Sequence, residues 1–399
     1  MLNVFNLRLT KGTRMNLLHG FRTVLCFGLS MLIGGGPTLS YAAVVNWVPD
    51  ADGNWNTATN WSSNPVLPLA GDDVTINVAG VRTITHNSGT HTIQSLSLSE
   101  ILALSGGILE VTGTTTLNAG GSIQLSGGTL KNTPVQQNGA NKLTFNSSNG
   151  TLDNVLVKGD LDLSGTSNRV TFLNNTVVQT EAGGAPGVIN VTGQSAILSY
   201  DGTAGWARTL SNTTINLGNN VSNSGFLTVE RDGTLTLGAG TTVQGQGRLG
   251  NTQFLVGGAA TMINNGTISA NQAGRTLTVG TTSSGVTTLT NNSLMEAKNG
   301  ATLTVNPANW SNGATGQVNA LAGSTVNLNR AWTNGGQLNV TGGTLNLGGT
   351  FTVGALGTLA NTGGTVNLTG VLDNTGTTLT LNATTGSLTL NTGRINNGT

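Results

Sequence analysis

One short pattern recurs along the second half of the chain: polar, apolar, polar, apolar, bounded by glycine or another small or polar residue. It reads GTLTLG at 233–238, RTLTVG at 275–280, ATLTVN at 301–306, STVNLN at 324–329, GTLNLG at 343–348, GTVNLT at 364–369 and GSLTLN at 386–391. Strict alternation sends successive side chains to opposite sides of an extended backbone, the signature of a half-buried strand. The first apolar positions are Leu235, Leu277, Leu303, Val326, Leu345, Val366 and Leu388, with gaps of 42, 26, 23, 19, 21 and 22 residues. With the 42 taken as two units of 21, the period is about 22 residues. Shorter strands such as GQLNV (336–340) and GTFTV (349–353) lie between, so each period holds two or three strands joined by Asn-Gly, Gly-Gly and Thr-Gly corners.

No window outside the first forty residues keeps a helical period, and the expectation is an all-β chain. A strand rises about 3.3 Å per residue, so one period closes a small triangular coil. A single coil buries too little apolar surface to offset the ordering of its backbone, and only stacking, with parallel ladders between coils, stabilises it. The fold expected is a parallel β-helix with coils of about 22 residues, in which GGTLNLGGT (342–350) is one wall segment. A β-sandwich array built from hairpins is the competing architecture.

Composition narrows the picture. Charged residues make up 8% of the 399 residues, where a globular domain has about 25%, so ion pairs cannot dominate stability. The 60 glycines alone suggest a disordered linker, but the net charge of +1 and the recurrent Leu, Val and Ile argue against disorder. At the N-terminus, Arg8, Lys11, Arg14 and Arg22 precede the apolar run VLCFGLSMLIGGG (24–36), then Pro37 and the small-residue site SYA ending at Ala42. This is an export signal over residues 1–42, with Met15 as an alternative start; a membrane anchor is the competing reading, although the run is shorter than the roughly 20 apolar residues that span a bilayer. Cys26, the single cysteine, lies inside the signal, and the preceding TVL lacks the small residue of a lipid-attachment site.

From Ala43 onward there is no cysteine, which excludes disulfides, thiolate catalysis and cysteine-bound zinc. That portion has 12 basic against 15 acidic residues, hence a formal charge of −3, without the dense basic surface that nucleic acid requires. The expected division is the signal at 1–42, a Trp-rich cap with the first strands at 43–90, and the repeat region at 91–399.

An export signal followed by Gly/Asn/Thr-rich rungs of about 20 residues resembles the right-handed β-helical surface proteins of bacteria, the autotransporter passengers and haemagglutinin-like adhesins. The segment NWVPDADGNWNTATNWSSNPVLPLAGDDVTI (46–76) is similar to the tryptophan-rich start of such proteins, with Trp55 and Trp61 as a W-x5-W pair, then Pro65, Pro68 and Asp72–Asp73 before a strand. The resemblance implies a right-handed helix, a secreted or cell-surface location, and a tryptophan cap over the first coil's unpaired edge. A carbohydrate-stacking platform is the functional alternative for those tryptophans.

Candidate chemistry is sparse. LDNVLVKG (152–159), LNNTVVQT (173–180) and LSNTTINLG (210–218) share a frame that would stack Asn154, Asn175 and Asn212 as an amide ladder. Asp153, Lys158, Asp160, Asp162 and Arg169 fall within one coil, and Asp160 and Asp162 alternate to one side. Such a pair suits calcium, and with Lys158 or Arg169 as base would suit a polysaccharide lyase or hydrolase, against the plainer reading of solvated surface carboxylates. His86 and His91 in THNSGTHT are two possible ligands of one metal, or simply surface histidines; no nucleophile motif accompanies them. The glycine runs lack the strand-to-helix context and lysine of a phosphate loop, and the calcium repeat G-G-x-G-x-D is missing.

The T-x-T pairs Thr234/Thr236, Thr276/Thr278, Thr302/Thr304 and Thr378/Thr380 resemble the threonine ladder of ice-binding β-helices, although Asn327, Asn346 and Asn367 interrupt the lattice. GSLTLNTGRINNGT at 386–399 breaks off inside what reads as another coil, so a longer protein is expected, with an outer-membrane translocator or envelope anchor as partner. The functional expectation is a non-catalytic adhesin or scaffold that meets glycans or neighbouring cell surfaces, with no catalytic, cofactor-binding or metal-binding residue assigned.

Overall fold

Alternating stretches form short strands, and every ladder between named strands is parallel. The computed structural model describes residues 43–219, 225–250, 258–280 and 285–398, so the export signal expected over 1–42 lies outside the described residues. The result is an all-β parallel solenoid of about 14 coils of roughly 22 residues. The hairpin sandwich is ruled out, because hairpin strands pair antiparallel with a sequence neighbour, whereas here each strand pairs with its counterpart one coil away.

Successive strands fall on three faces in rotation. The long face carries 14 strands from Thr90–Ile93 to Leu388–Leu390. A second face has five strands, Gly53–Asn54 to Leu143–Phe145, and then nine more from Leu161–Asp162 to Thr358–Thr362. The third has seven, Val44–Asn46 to Val177–Gln179, and then nine from Ala207–Leu210 to Arg394–Asn396. Two of the three ladders are therefore interrupted, at neighbouring places, while the long face continues through both interruptions.

Along the long face Leu277, Leu303, Val326, Leu345, Val366 and Leu388 share one column. Leu235 does not join it. Its strand, Thr234–Leu237, lies on the third face opposite Met262, so the 42-residue gap compared two different faces. The long-face residue opposite Val279 is Leu249, 30 residues earlier.

GGTLNLGGT is a wall segment as expected. Leu345 and Leu347 are buried, Thr344 and Asn346 half-exposed. Its corner at Gly349 has φ 70°, and a Cβ there would stand 1.8 Å from the Arg330 carbonyl oxygen, because the coil below presses against the turn.

The amide ladder sits elsewhere than expected. Asn154 lies over Asn132, donating to its side-chain oxygen at 2.8 Å, and the next rung places Asn174 there, not Asn175, because Asp153 pairs with Leu173. Asn212 follows a third-face strand and belongs to another corner. A buried ladder instead joins Asn264, Asn291, Asn312 and Asn334, each amide donating to the next carbonyl oxygen at 2.7 Å.

Trp47, Trp55 and Trp61 are buried at the first rungs in edge-to-face contact, with the Trp61 indole N–H donating to the Trp55 carbonyl at 2.7 Å. None of the three rings opens a face to solvent for stacking on a sugar.

Candidate functional site

The most regular outward surface lies on the long face between the strands Thr276–Val279 and Thr365–Leu368. Inward positions there are Leu or Val, so the outward ones are the intervening polar residues. One column runs Thr276, Thr302, Thr325, Thr344, Thr365; the other runs Thr278, Thr304, Asn327, Asn346, Asn367. None of these five strands carries a charged side chain. Rungs repeat about every 4.8 Å, and the columns stand roughly 7 Å apart.

The asparagines that interrupt the T-x-T motif continue the lattice. Asn327 donates to Thr304 Oγ1 at 3.2 Å, Asn346 to Asn327 Oδ1 at 2.7 Å, and Asn367 to Asn346 Oδ1 at 2.8 Å. Each amide thereby holds its neighbour in one rotamer and still has outward hydrogen-bonding capacity. The other two T-x-T pairs do not belong: Thr234/Thr236 are on the third face, and Thr378/Thr380 lie outside any strand.

The charged cluster assembles differently from its sequence order. Asp160 and Asp162 line one cavity of about 540 Å³ together with Lys142 and Glu181. Lys142 Nζ is 3.1 Å from Asp162 Oδ2, the Ser164 N–H donates to Asp162 Oδ1 at 2.9 Å, and the Val188 N–H donates to Asp160 at 3.0 Å. Partial burial pushes the Asp162 carboxyl up, but hydrogen bonds from Ser164 and the Lys142 ammonium outweigh it and hold the group below the usual carboxylate range. Lys158 is on the third face and Arg169 opens a long-face strand, so neither proposed base joins the two aspartates. Asp153 sits at another corner, accepting from the Asn174 amide.

Comparison with known protein families, curated proteins and solved structures finds no match.

His86 and His91 come together. His86 is fully buried; its Nδ1 is 2.9 Å from the Gly106 carbonyl oxygen and its Nε2 is 2.8 Å from His91 Nδ1. Because a carbonyl only accepts, His86 Nδ1 carries a hydrogen and Nε2 accepts from His91. Burial against Trp55 lowers both imidazole pKa values, and the neighbouring His86 lowers that of His91 further. The described residues contain no group of three or more His, Cys, Asp or Glu placed to hold a metal ion.

Sequence reasoning missed the buried asparagine ladder. Its signal was present in INNGT (263–267), TNNSL (290–294) and TNGGQ (333–337), where an Asn closes a strand just before a glycine- or serine-containing corner.

Proposed function

We propose that the chain is an exported, non-catalytic β-solenoid of the bacterial cell surface or its surroundings, acting as an adhesin or structural scaffold that engages neutral glycans. The observation that carries this reading is the uncharged Thr/Asn wall of the long face. Hydroxyls and amides supply both donors and acceptors at a fixed repeat, which suits a polyhydroxylated polymer. The amide ladder holds these side chains in place, so binding loses little rotamer entropy. The resemblance of the export signal, tryptophan-rich start and rung composition to autotransporter passengers and haemagglutinin-like adhesins supports the same reading.

The test incubates the purified protein with neutral and acidic polysaccharides, with and without calcium, and reads bound polymer and polymer length in the same tubes. The expected result is binding of neutral polymer at unchanged length, weakened at least tenfold by Thr344→Lys with Asn346→Lys. Polymer shortening that disappears in Asp160→Ala with Asp162→Ala would overturn the reading in favour of a polysaccharide-degrading enzyme.

A further inference from the structure

The interruption of the third face leaves a cavity of about 530 Å³ between the strands Val177–Gln179 and Ala207–Leu210. That volume falls within the roughly 300–1,000 Å³ of small-ligand sites. Its lining includes Phe172, Asn175, Gln179, Tyr200, Arg208 and Asn212.

Arg208 occupies a core position. It stands opposite Leu235, and the same column continues through Met262, Leu289, Trp310 and Trp332, every one of them buried. A guanidinium thus replaces the apolar side chain at the first rung above the gap, where no strand below closes the wall. Two main-chain oxygens hold it: Nη1 donates to Phe172 O at 2.7 Å and Nη2 to Asp201 O at 2.6 Å. Its Cζ lies 5.2 Å from the centre of the Trp206 ring.

Among the described residues no carboxylate pairs with this cation. Asp201 spends its side chain on Arg231 Nε at 2.9 Å and the Gly202 N–H at 2.8 Å, and Asp153 accepts from Asn174. Desolvation holds the Arg208 guanidinium below its usual range, opposed through space by Tyr200 and then by Asp153 and Asp201, and neither carboxylate reaches ion-pair distance among the described residues. A guanidinium has five N–H donors, of which the two carbonyls engage two. Partial burial of a cation without a counter-anion carries a cost, and a planar carboxylate matches the guanidinium fork. Around it the exposed Asn175 and Asn212 amides have no side-chain partner among the described residues, while the Phe172 and Tyr200 rings, packed edge to face at 5.5 Å, are buried behind the site. A carboxylate for the guanidinium and hydroxyls for the two amides together describe an acidic sugar.

We propose that this cavity binds a hexuronic acid unit of an acidic glycan, with Arg208 as the carboxylate clamp and Asn175 and Asn212 as hydroxyl partners. The assignment rests on the glycan-binding reading above but uses a different face from the neutral wall.

The test is calorimetric titration of the purified protein with a short oligogalacturonate, the neutral galactose oligomer of equal length, and acetate. Oligogalacturonate is expected to bind, weakening as salt is raised, with the neutral oligomer and acetate each at least tenfold weaker. Arg208→Leu, which completes the apolar column, is expected to retain the fold by thermal unfolding and to abolish uronate binding. Asn212→Ala serves as a second variant, expected to weaken it at least threefold. Equal binding of acetate, or uronate binding unchanged in both variants, would overturn the proposal, as would no uronate binding by the unaltered protein. Neutral polysaccharide binding by the wall is read in parallel with Arg208→Leu, so failure of the cavity and failure of the wall are distinguishable.

Discussion

Gly349 and Asn312 are single residues on which neighbouring coils depend. At Gly349 any Cβ meets both the left-handed backbone and the Arg330 carbonyl at 1.8 Å. Gly349→Ala is expected to destabilise the fold by about 2–4 kcal/mol, read from urea unfolding. Asn312 donates to Asn334 and accepts from Asn291 while buried, so Asn312→Ala removes two buried bonds between coils, although Asn291 and Asn334 keep main-chain partners, and is expected to cost about 2 kcal/mol. Asn346 makes the same kind of bonds on the open wall, where water replaces a lost partner, and Asn346→Ala is expected to cost under about 1 kcal/mol in the same assay. The contrast follows from burial, which the local sequence around the two asparagines does not reveal.

At the scale of elements, the first rungs combine the tryptophan cluster with the His86–His91 pair. In the folded chain both imidazoles titrate below their unfolded value of 6.5. The unfolded state therefore binds more protons below that pH, and stability is full above about 6.5 and lost as pH falls. Thermal unfolding is expected at lower temperature at pH 5 than at pH 7.5, and His86→Leu, which removes the buried base, is expected to flatten the difference. The strands themselves were legible: alternation marked those of the long face, from RTLTVG to GSLTLN, correctly. That His86 is buried against Trp55, not on the surface, was not legible, because it depends on how the first rungs pack and not on the spacing of the two histidines.

The whole molecule is held through its interruption by one face. Arg169–Leu173 pairs with Ile197–Tyr200, which pairs in turn with Phe226–Val229, across the same coils where the other ladders stop. Residues 181–186 leave this region as an almost fully exposed excursion. Limited proteolysis is expected to nick there first, and the two products are expected to co-elute in gel filtration, since the long face and the core still join them. Separation of the fragments would mean that the interruption divides the solenoid into independent units. Such near-neighbour coupling is the general behaviour of stacked repeats.

Period, strand type and the inward set were determined by the sequence alone, because alternation is a local property that needs no partner. The lack of charge on the wall was equally a matter of sequence. Which rung lies on which was decided only by the tertiary structure. Separations between stacked residues range from 18 for Thr90 and Ile108 to 31 for Gly53 and Ile84, so a fixed period misplaces Leu235 and pairs the wrong asparagine with Asn154. Stacking also brought Lys142 to Asp162 and put Arg208 into a column of core side chains. Each of these arises from lateral register, which turn length and packing set between coils, and which the alternating pattern within one strand does not encode.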